Sequence, residues 1–403
     1  PGLLIVAVMG VVRGFFQGYD HMEPTAISQL VEQIIRIIVL LVGAFLVMRV
    51  FHGTAQTAIS FAVFSAFIGA LAGLIALWDY WRRLKPEFDL KLKSSVSSGQ
   101  LSYTSIYKEV ITYSIPYVFV GIANPLFQLV DMLTFNTAMS NIGLAKVSDE
   151  YLGMLNFTTQ KIVIIPVMLA TGFSMALVPA ITNYYTRKQN GALINAMDKT
   201  YQVLLFVTLP AVVGISLLST DIYHLLYSES AMGSSILAFY APVAILFALF
   251  QVTAALLQGI DYQKWIVFSL LTGILVKLAI NIPLIQSFET KGAIMATAIG
   301  YLISILINII VLKKALNYKS KMVIRRSILI IALTIIMAAF VIVTHKVLVL
   351  MFGVAHSKLL ALLYLVICIT IAVVVYGFLS LRIGLAQKLL GEKITKIGRK
   401  FGL

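Results

Sequence analysis

The chain has 403 residues, of which 60% are hydrophobic and only 12% charged, and its mean hydropathy is +0.97. This composition lies well outside the range of soluble globular domains and excludes a soluble enzyme. The net charge of +15 would suggest a nucleic-acid partner in a soluble protein, but in a membrane protein it has to be judged by where the basic residues fall.

Apolar runs of bilayer-spanning length recur along the whole chain, separated by short polar stretches. They predict an all-α polytopic membrane protein with eleven membrane segments. The segments lie at about 3–17, 27–48, 55–78, 111–139, 157–181, 201–219, 234–258, 265–286, 292–312, 326–349 and 359–381. The first run is short, begins at Pro1 rather than Met and lacks the features of a signal peptide, so we expect the chain to be truncated at its N-terminus.

Lys and Arg residues are distributed unequally between the two sets of predicted loops. The ends that follow odd-numbered segments carry 23 of the 31 basic residues, and the opposite loops carry five. Basic loops stay cytoplasmic, so we expect a multi-pass protein of the bacterial plasma membrane with a cytoplasmic C-terminus. The positive charge is spread along one membrane face, which argues against a nucleic-acid partner.

Polar stretches divide the chain into five regions. Residues 82–110 form the longest of them and are predicted to link two helical bundles, 1–81 with three segments and 111–316 with six. Residues 317–383 hold two additional segments. Residues 384–403 alternate basic and apolar side chains and predict an amphipathic tail on anionic cytoplasmic lipids, with a frayed basic tail as the alternative.

The chain aligns with itself at an offset of 241 residues. The matched pairs are Gln17 with Gln258, Gly18 with Gly259, Asp20 with Asp261, Ser28 with Ser269, and Arg36 with Lys277. In both copies a helix ends in the motif Gln-Gly-x-Asp, and a cation follows 18 residues after the Gly. A parallel repeat of six-helix lobes explains the match. Segments 4 to 9 then form one lobe, segments 1 to 3 are the second half of another, and segments 10 and 11 are an added pair.

Three cations lie inside predicted segments, namely Arg36, Lys161 and Lys277. Each costs about 2.5–3.5 kcal/mol at a helix centre, so we expect all three to face a polar cavity or a partner. Glu32, four residues before Arg36, offers it a simple pairing. Lys161 follows Gln160 near the start of its segment, where snorkelling is the alternative. Lys277 has no acidic neighbour at helical spacing and is the best anion-site candidate, again with snorkelling as the alternative.

Asp131 is the acid that lies deep in the second lobe. Asn124 and Gln128 precede it at helical spacing, so the three side chains share one polar face that we expect to point inward. Three interpretations stay open: a proton site, a sodium site, or the counter-ion of Lys161 or Lys277.

Prolines are concentrated in segments 4 to 8. Those segments hold Pro116, Pro125, Pro166, Pro179, Pro210, Pro242 and Pro283. Proline interrupts the helical hydrogen bonds, and freed carbonyl groups are tolerated only against protein or a water-filled cavity. The pattern predicts bent helices around a central path, which is typical of transporters.

Catalytic and metal-binding motifs are missing from the sequence. It contains no GxGxxG, P-loop, HExxH or GxSxG motif, and its five histidines are not at metal-ligand spacing. We therefore expect a transporter with no cofactor and no metal.

Several stretches of the sequence resemble one known superfamily. They are residues 13–20, 24–29, 32–36, 113–117, 156–166, 240–246 and 255–261. The chain resembles the polysaccharide-biosynthesis and stage V sporulation protein B branch of the multidrug/oligosaccharidyl-lipid/polysaccharide (MOP) exporters, and within it the MurJ-like lipid II flippases of Gram-positive bacteria. The likeness covers essentially the whole chain.

The resemblance implies a MOP/MATE-like fold of fourteen helices, of which this chain would hold helices 4 to 14. Two six-helix lobes are related by a parallel pseudo-twofold axis, and two C-terminal helices are added. The resemblance also implies that Lys161, five residues before Pro166, lines a cavity and contacts a lipid pyrophosphate. The other cavity cations of the family come largely from its first two helices.

The leading hypothesis is alternating-access flipping of the undecaprenyl-pyrophosphate-linked peptidoglycan precursor lipid II, or of a related lipid-linked oligosaccharide. Arg36, Lys161 and Lys277 would offset the pyrophosphate charge, and segments 10 and 11 would guide the isoprenoid tail. We expect coupling to the membrane potential, H⁺ or Na⁺, and a monomer. A cation-coupled drug antiporter with Asp131 as ion site is the alternative. A membrane glycan polymerase or ligase is disfavoured by the short exterior loops.

Overall fold

A computed structural model describes residues 2–19, 21–94, 102–318, 321–355 and 357–390. Within these ranges the chain folds into helices and forms no strand. Contacts divide it into two compact units, with the boundary between Ser102 and Tyr103. Asp20 of the first turn motif and residues 391–403 of the predicted amphipathic tail lie outside the described residues.

The first unit contains the helices α1 (Gly2–Gly18), α2 (Glu23–Phe45) and α3 (Ala55–Lys93). A π-helical turn, Leu46–Val50, extends α2. α2 and α3 pack closely because Gly69 and Gly73 carry no side chain. A Cβ atom at Gly69 would lie 2.7 Å from the carbonyl oxygen of Glu32 on α2.

The second unit contains the other helices of the described residues. They are α4 (Tyr103–Gly121), α5 (Ala123–Asn141), α6 (Ala145–Gly153), α7 (Gln160–Thr186), α8 (Asn190–Leu217), α9 (Ser219–Leu226), α10 (Ala231–Tyr240), α11 (Val243–Gly259), α12 (Gln263–Leu316), α13 (Lys321–Phe352), α14 (Lys358–Arg382) and α15 (Leu385–Leu390). A π-helical turn, Met154–Thr159, joins α6 to α7. The main buried core is built by α5, α7, α8, α10, α11 and α12.

Each of the eleven predicted membrane segments falls within a helical stretch of the structure. By length and apolar composition, seven helices of the described residues could cross a membrane, or eight if the bent pair α4 and α5 is one span. This number is smaller than the eleven predicted segments for two reasons. α12 is one helix of 54 residues that contains two predicted segments, and α1 has only 17 residues, which is short for a membrane span.

The predicted linker over residues 82–110 is shorter than expected, because α3 and α4 extend into it from both sides. The ion pairs Asp79–Arg83 and Glu87–Lys91, each 2.6 Å long and four residues apart, stabilise the polar end of α3. Hydropathy marks only the apolar part of such a helix, so its polar extension was assigned to the linker.

Three breaks shape the helices of the second unit. α4 and α5 meet at an angle of 54°, and Pro125 accounts for the bend because it has no N–H to bond the carbonyl of Gly121. Pro242 separates α10 from α11 within one predicted segment. The third break lies at Glu289 inside α12, where φ is 53° and ψ is −136°.

The predicted repeat is visible where the two turn motifs begin, because α1 and α11 both end at the glycine of their motif. The N–H of His21 donates to the carbonyl oxygen of Phe16 at 2.9 Å, and at the equivalent positions Tyr262 donates to Leu257 at 2.9 Å. Asp261 adopts φ of 63°, the left-handed conformation that terminates a helix in a Schellman turn.

The match between the two copies of the repeat continues into the helix after each turn motif, but the cations in these helices differ in burial. The hydroxyls of Ser28 and Ser269 each donate to the carbonyl oxygen three residues before, at 2.9 Å, and both side chains are buried. Arg36 is exposed, whereas Lys277 is fully buried. The equivalent helices therefore share their start but place their cations in different surroundings.

α13 and α14 pack onto α8 and α9 through apolar contacts and a few polar ones. The Nε2 atom of His345 lies 2.7 Å from Oδ2 of Asp221, which joins α13 to α9. The Tyr376 hydroxyl donates to the Phe206 carbonyl oxygen at 2.9 Å, which joins α14 to α8. Cys368, the single cysteine of the chain, is buried on α14.

Candidate functional site

The polar face predicted for segment 4 lies on α5 and points into the second unit. Asp131 is 4% exposed, and Asn124 and Gln128 are half-buried. Because the three residues recur at helical spacing, one side of α5 presents all of them to the neighbouring helices. The face lines a narrow gap together with side chains from α7, α10, α11 and α12.

Asp131 is paired with Lys277 of α12. Lys277 Nζ lies 2.7 Å from Asp131 Oδ2 and donates a second hydrogen bond of 2.7 Å to the Phe127 carbonyl oxygen. Lys277 is 0% exposed, so the pair is withdrawn from both water and lipid. Either charge alone would be costly to bury, and the ion pair with its additional hydrogen bond offsets that cost. This geometry matches the counter-ion interpretation of Asp131.

Asn281 completes the polar cluster. Its Nδ2 atom lies 3.2 Å from Asp131 Oδ1 and 2.7 Å from Thr134 Oγ1. Asn281 was missed from the sequence, although it lies four residues after Lys277 and therefore on the same face of α12. The carbonyl of Phe127 was missed as well, because a backbone acceptor leaves no trace in residue type.

Aromatic side chains close the cluster on its other side. The ring of Tyr301 stacks on Phe127 with a centroid distance of 4.1 Å, and its hydroxyl donates to the side-chain oxygen of Asn124. The Tyr240 hydroxyl donates to Gln160 Oε1 at 3.1 Å. The gap between these groups is too narrow for a water molecule. In this conformation the cluster is a closed polar core and not an open cavity.

Of the two surroundings expected for Lys277, a polar cavity or a partner, this conformation shows the partner. The sequence shows no acid at helical spacing from Lys277, but Asp131 reaches it from another helix, 146 residues away along the chain. Its ammonium group has an acid and a carbonyl as partners in this state, so an anion could reach it only after the pair separates.

Lys161 lies near the start of α7 and its side chain is exposed. One helical turn later, Ile165 and Pro166 line an apolar cavity of about 550 Å³ between α7, α8, α13 and α14. Residues four apart share one face of a helix, so Lys161 stands next to the Ile165 side of the cavity. The structure does not bring Lys161 into the cluster around Lys277, although its neighbour Gln160 belongs to that cluster.

Arg36 belongs to the first unit and is exposed. The alternative of a simple pairing with Glu32 is not seen, since Glu32 Oε2 instead lies 2.8 Å from Nη2 of Arg13 on α1. The Nε atom of Arg13 also donates to Ser28 Oγ at 2.9 Å. Spacing along one helix identifies only partners on that helix, whereas the cation that pairs with Glu32 is Arg13 of α1.

Comparison with known proteins gives matches along the whole chain. A family model described as polysaccharide biosynthesis protein matches residues 1–185, and the MatE family model matches residues 116–283. The chain is 41% identical over 402 residues to the lipid II flippase MurJ of Bacillus subtilis, covering 99% of this chain and 74% of that protein. It is 24% identical over 330 residues to stage V sporulation protein B of the same organism, covering 80% and 61%.

Among solved structures, the lipid II flippase MurJ in an inward closed conformation matches with a TM-score of 0.59 at 15% identity, over 94% of this chain and 72% of that one. At this identity the structural match shows the fold alone, and it confirms the predicted MATE-like helical fold. The predicted resemblance to the polysaccharide-biosynthesis branch is confirmed by the sequence matches. The predicted truncation at the N-terminus is not borne out by them.

Proposed function

Because the chain belongs to the family of the lipid II flippase MurJ, we propose that it moves lipid II, or a related lipid-linked oligosaccharide, across a bacterial plasma membrane by alternating access. It is a multi-pass membrane transporter and not an enzyme. The antiporter alternative is not favoured, because its ion site would be Asp131, whose charge is already matched by Lys277.

One observation carries the proposal beyond family membership. An exposed cation, Lys161, stands one helical turn from Ile165 at the edge of the 550 Å³ apolar cavity. In an amphiphile with an isoprenoid chain, the anionic pyrophosphate stands next to the chain, just as Lys161 stands next to the apolar cavity. The ammonium group would bind the pyrophosphate, and the cavity would remove part of the chain from water.

In this proposal Lys277 becomes available to the cargo only when its ion pair with Asp131 separates. A pyrophosphate that reached the cluster would compete with Asp131 for the ammonium group, so binding would be coupled to separation of α5 from α12. Alternating access needs such an element with two arrangements, and a ligand shifts it only by binding one arrangement better. Arg36, which belongs to the first unit, stays a sequence-based prediction as a phosphate contact.

The proposal also includes orientation and energy source. The bias of Lys and Arg toward one set of loops supports a cytoplasmic C-terminus and contact with anionic lipids on that face. We propose a monomer that is driven by the membrane potential, because an anionic cargo leaving a negative interior gains about 2.3 kcal/mol per charge for each 100 mV. Coupling to H⁺ or Na⁺ is the competing energy source.

The test is reconstitution in liposomes with labelled lipid II on one leaflet, followed by its accessibility to a membrane-impermeant reagent. We expect crossing with the parent protein and roughly tenfold slower crossing with Lys161→Ala, since one charge-assisted contact is lost. Lys161→Arg should retain most of the activity.

The matched control is Lys146→Ala, which removes an exposed lysine of the same unit away from the cavity. Equal rates for Lys161→Ala and Lys146→Ala would remove Lys161 from the phosphate site. Absence of crossing by folded parent protein would refute lipid II as cargo and direct the assay to other isoprenoid-linked glycans.

A further inference from the structure

A second, more polar cavity lies between α10 and the break at Glu289 in α12. Its volume is about 260 Å³, which is enough for a single sugar unit. The apolar cavity beside Lys161 is lined by different residues. Loop charge places Lys291, which lines the polar cavity, on the side opposite the C-terminus, predicted to be the exterior face.

The side chains around this cavity complement a hydroxylated ring. The carboxylate of Glu289 accepts hydrogen bonds, the ammonium group of Lys291 donates them, and the Ser235 hydroxyl can do both. The Ser287 hydroxyl donates to the Pro283 carbonyl oxygen at 3.0 Å and is left as an acceptor. Phe288 is 53% exposed and offers an apolar ring to the C–H face of a sugar. A few convergent polar groups beside an aromatic ring are typical of a specific small-ligand site.

A buried hydroxyl at the cavity lacks a hydrogen-bond partner. Thr290 is 1% exposed, lines the cavity, and its Oγ1 atom makes no hydrogen bond within the described part of the chain. Buried polar groups in folded proteins are nearly always satisfied, so an orphaned one beside a cavity points to a missing polar group. The Oγ1 atom is enclosed by its neighbours in this conformation, so a sugar hydroxyl would reach it after a small shift of the cavity wall.

The backbone beside the cavity adopts an energetically unfavourable conformation at Glu289. Glu289 has φ of 53° and ψ of −136°, a conformation that glycine adopts far more readily than any other residue. The tight turn is fixed by Gly292, where a Cβ atom would lie 2.0 Å from the Leu284 carbonyl oxygen. A strained position that carries a carboxylate instead of glycine indicates that the side chain has a use.

We propose that this cavity is a subsite for one sugar ring of the cargo's head group at the exterior face. The assignment rests on the proposed flippase function and extends it to the glycan part of the cargo. Glu289 and Lys291 would hold ring hydroxyls, Phe288 would stack on the ring, and Thr290 would gain its missing partner. The subsite would hold the head group while the pyrophosphate leaves the cations.

The experiment is saturation-transfer NMR on the purified protein in nanodiscs, with N-acetylglucosamine as the probe. We expect saturation of the sugar ring protons by the parent protein and roughly tenfold weaker binding by Glu289→Gly, since a charge-assisted hydrogen bond is lost. Glu289→Gly should unfold at the same temperature as the parent or a higher one, because it relieves the backbone strain. Lys346→Ala, which removes another lysine of the same predicted face, is the control and should bind like the parent.

Two readouts separate this subsite from the flippase proposal. Sugar binding that is lost in Glu289→Gly and Lys291→Ala supports the subsite, whatever the liposome assay gives for lipid II. Crossing of lipid II together with equal sugar signals in parent and Glu289→Gly would overturn the subsite and leave the flippase proposal standing. Complete absence of saturation transfer to the sugar would overturn the subsite as well.

Discussion

Lys277 is stabilised in the protein interior by two direct hydrogen-bond partners and by a third group that holds one of them. The ammonium group contacts the Asp131 carboxylate and the Phe127 carbonyl, and Asn281 holds the other oxygen of Asp131. Removing one member of such a pair leaves the other charge uncompensated, which costs about 3–5 kcal/mol. Replacing both members by apolar groups of similar size is often neutral or stabilising.

The stability of single and double variants should therefore diverge. Lys277→Met alone should lower the free energy of unfolding by about 3–5 kcal/mol, and Lys277→Met combined with Asp131→Leu should recover most of that loss. Thermal unfolding in nanodiscs measures both. Equal stability of the single and double variants would show that Asp131 does not depend on Lys277 for its burial.

The same two variants test the proposed exchange of partners. If the Lys277 charge passes from Asp131 to pyrophosphate, the double variant should fold but fail to move lipid II in the liposome assay. A double variant that transports at the parent rate would restrict Lys277 to a structural role.

At the scale of single residues, the sequence identifies which charges are costly but not what they touch. Lys277 and Asp131 stood out because each is an ionisable group deep in an apolar run. Their pairing depends on how α5 packs against α12, and residue spacing within one helix carries no information about that. Glu32 shows the same limit, since its nearest cation by spacing was Arg36 and its actual partner is Arg13 of α1.

Among the helices, the added pair α13 and α14 is held to the core of the second unit at several polar points. His345 of α13 contacts Asp221, and Tyr376 of α14 donates to the Phe206 carbonyl oxygen. Between α12 and α13, the Tyr318 hydroxyl donates to Asp198 of α8 at 2.5 Å. Burial, and then the hydrogen bond to Asp198, raise the pKa of Tyr318, so its hydroxyl stays protonated at neutral pH and remains a donor. Phe206, Tyr376 and Ile222, the residue after Asp221, line the apolar cavity, so the contacts of His345 and Tyr376 border its wall.

Removal of the His345 contact should loosen this wall. In His345→Ala the carboxylate of Asp221, which is 5% exposed, loses its partner, and an unsatisfied buried acceptor costs about 1–3 kcal/mol. We expect faster hydrogen exchange in α13 and α9, with exchange in α5 unchanged. Lys346→Ala alters the adjacent position and is the control. Equal exchange in both variants would mean that apolar packing alone holds α13 in place.

The long apolar helices follow from hydropathy, whereas the short ones do not. α6 and α9 span only 9 and 8 residues and are too short or too polar to give a membrane signal. The breaks at Pro125 and Pro242 could be expected from the sequence, because the N–H that proline lacks is a property of the residue type. The break at Glu289 has no such marker, since it depends on a backbone conformation that the residue type disfavours.

For the molecule as a whole, the membrane potential is the proposed source of energy. Crossing of lipid II in liposomes should accelerate when the compartment that holds it is made negative by a potassium gradient with valinomycin, and should slow when the potential is collapsed. Each 100 mV acts with about 2.3 kcal/mol per transferred charge. If the crossing rate did not change with the potential but increased with a sodium or proton gradient, ion coupling would be the energy source instead.

Fold and family could be predicted from the sequence more completely than the site. Membrane helices are specified by local composition, and the motifs of the family are contiguous in the chain, so both can be seen without coordinates. The site depends on groups from separate helices, such as Asn281, Thr134 and the Phe127 carbonyl. The apolar cavity beside Lys161 is likewise a product of packing between α7, α8, α13 and α14.

The equivalent turns at the ends of α1 and α11 have a consequence for how the protein has changed in evolution. The hydrogen bond that they share joins two backbone atoms, so a duplicated helix pair could keep this turn while its side chains changed. The two cations at equivalent positions of the predicted repeat differ, because Arg36 is exposed and Lys277 is paired with an acid. A substitution at Lys277 must therefore be matched by a change at Asp131, whereas the exposed Arg36 can change without leaving a buried charge unpaired.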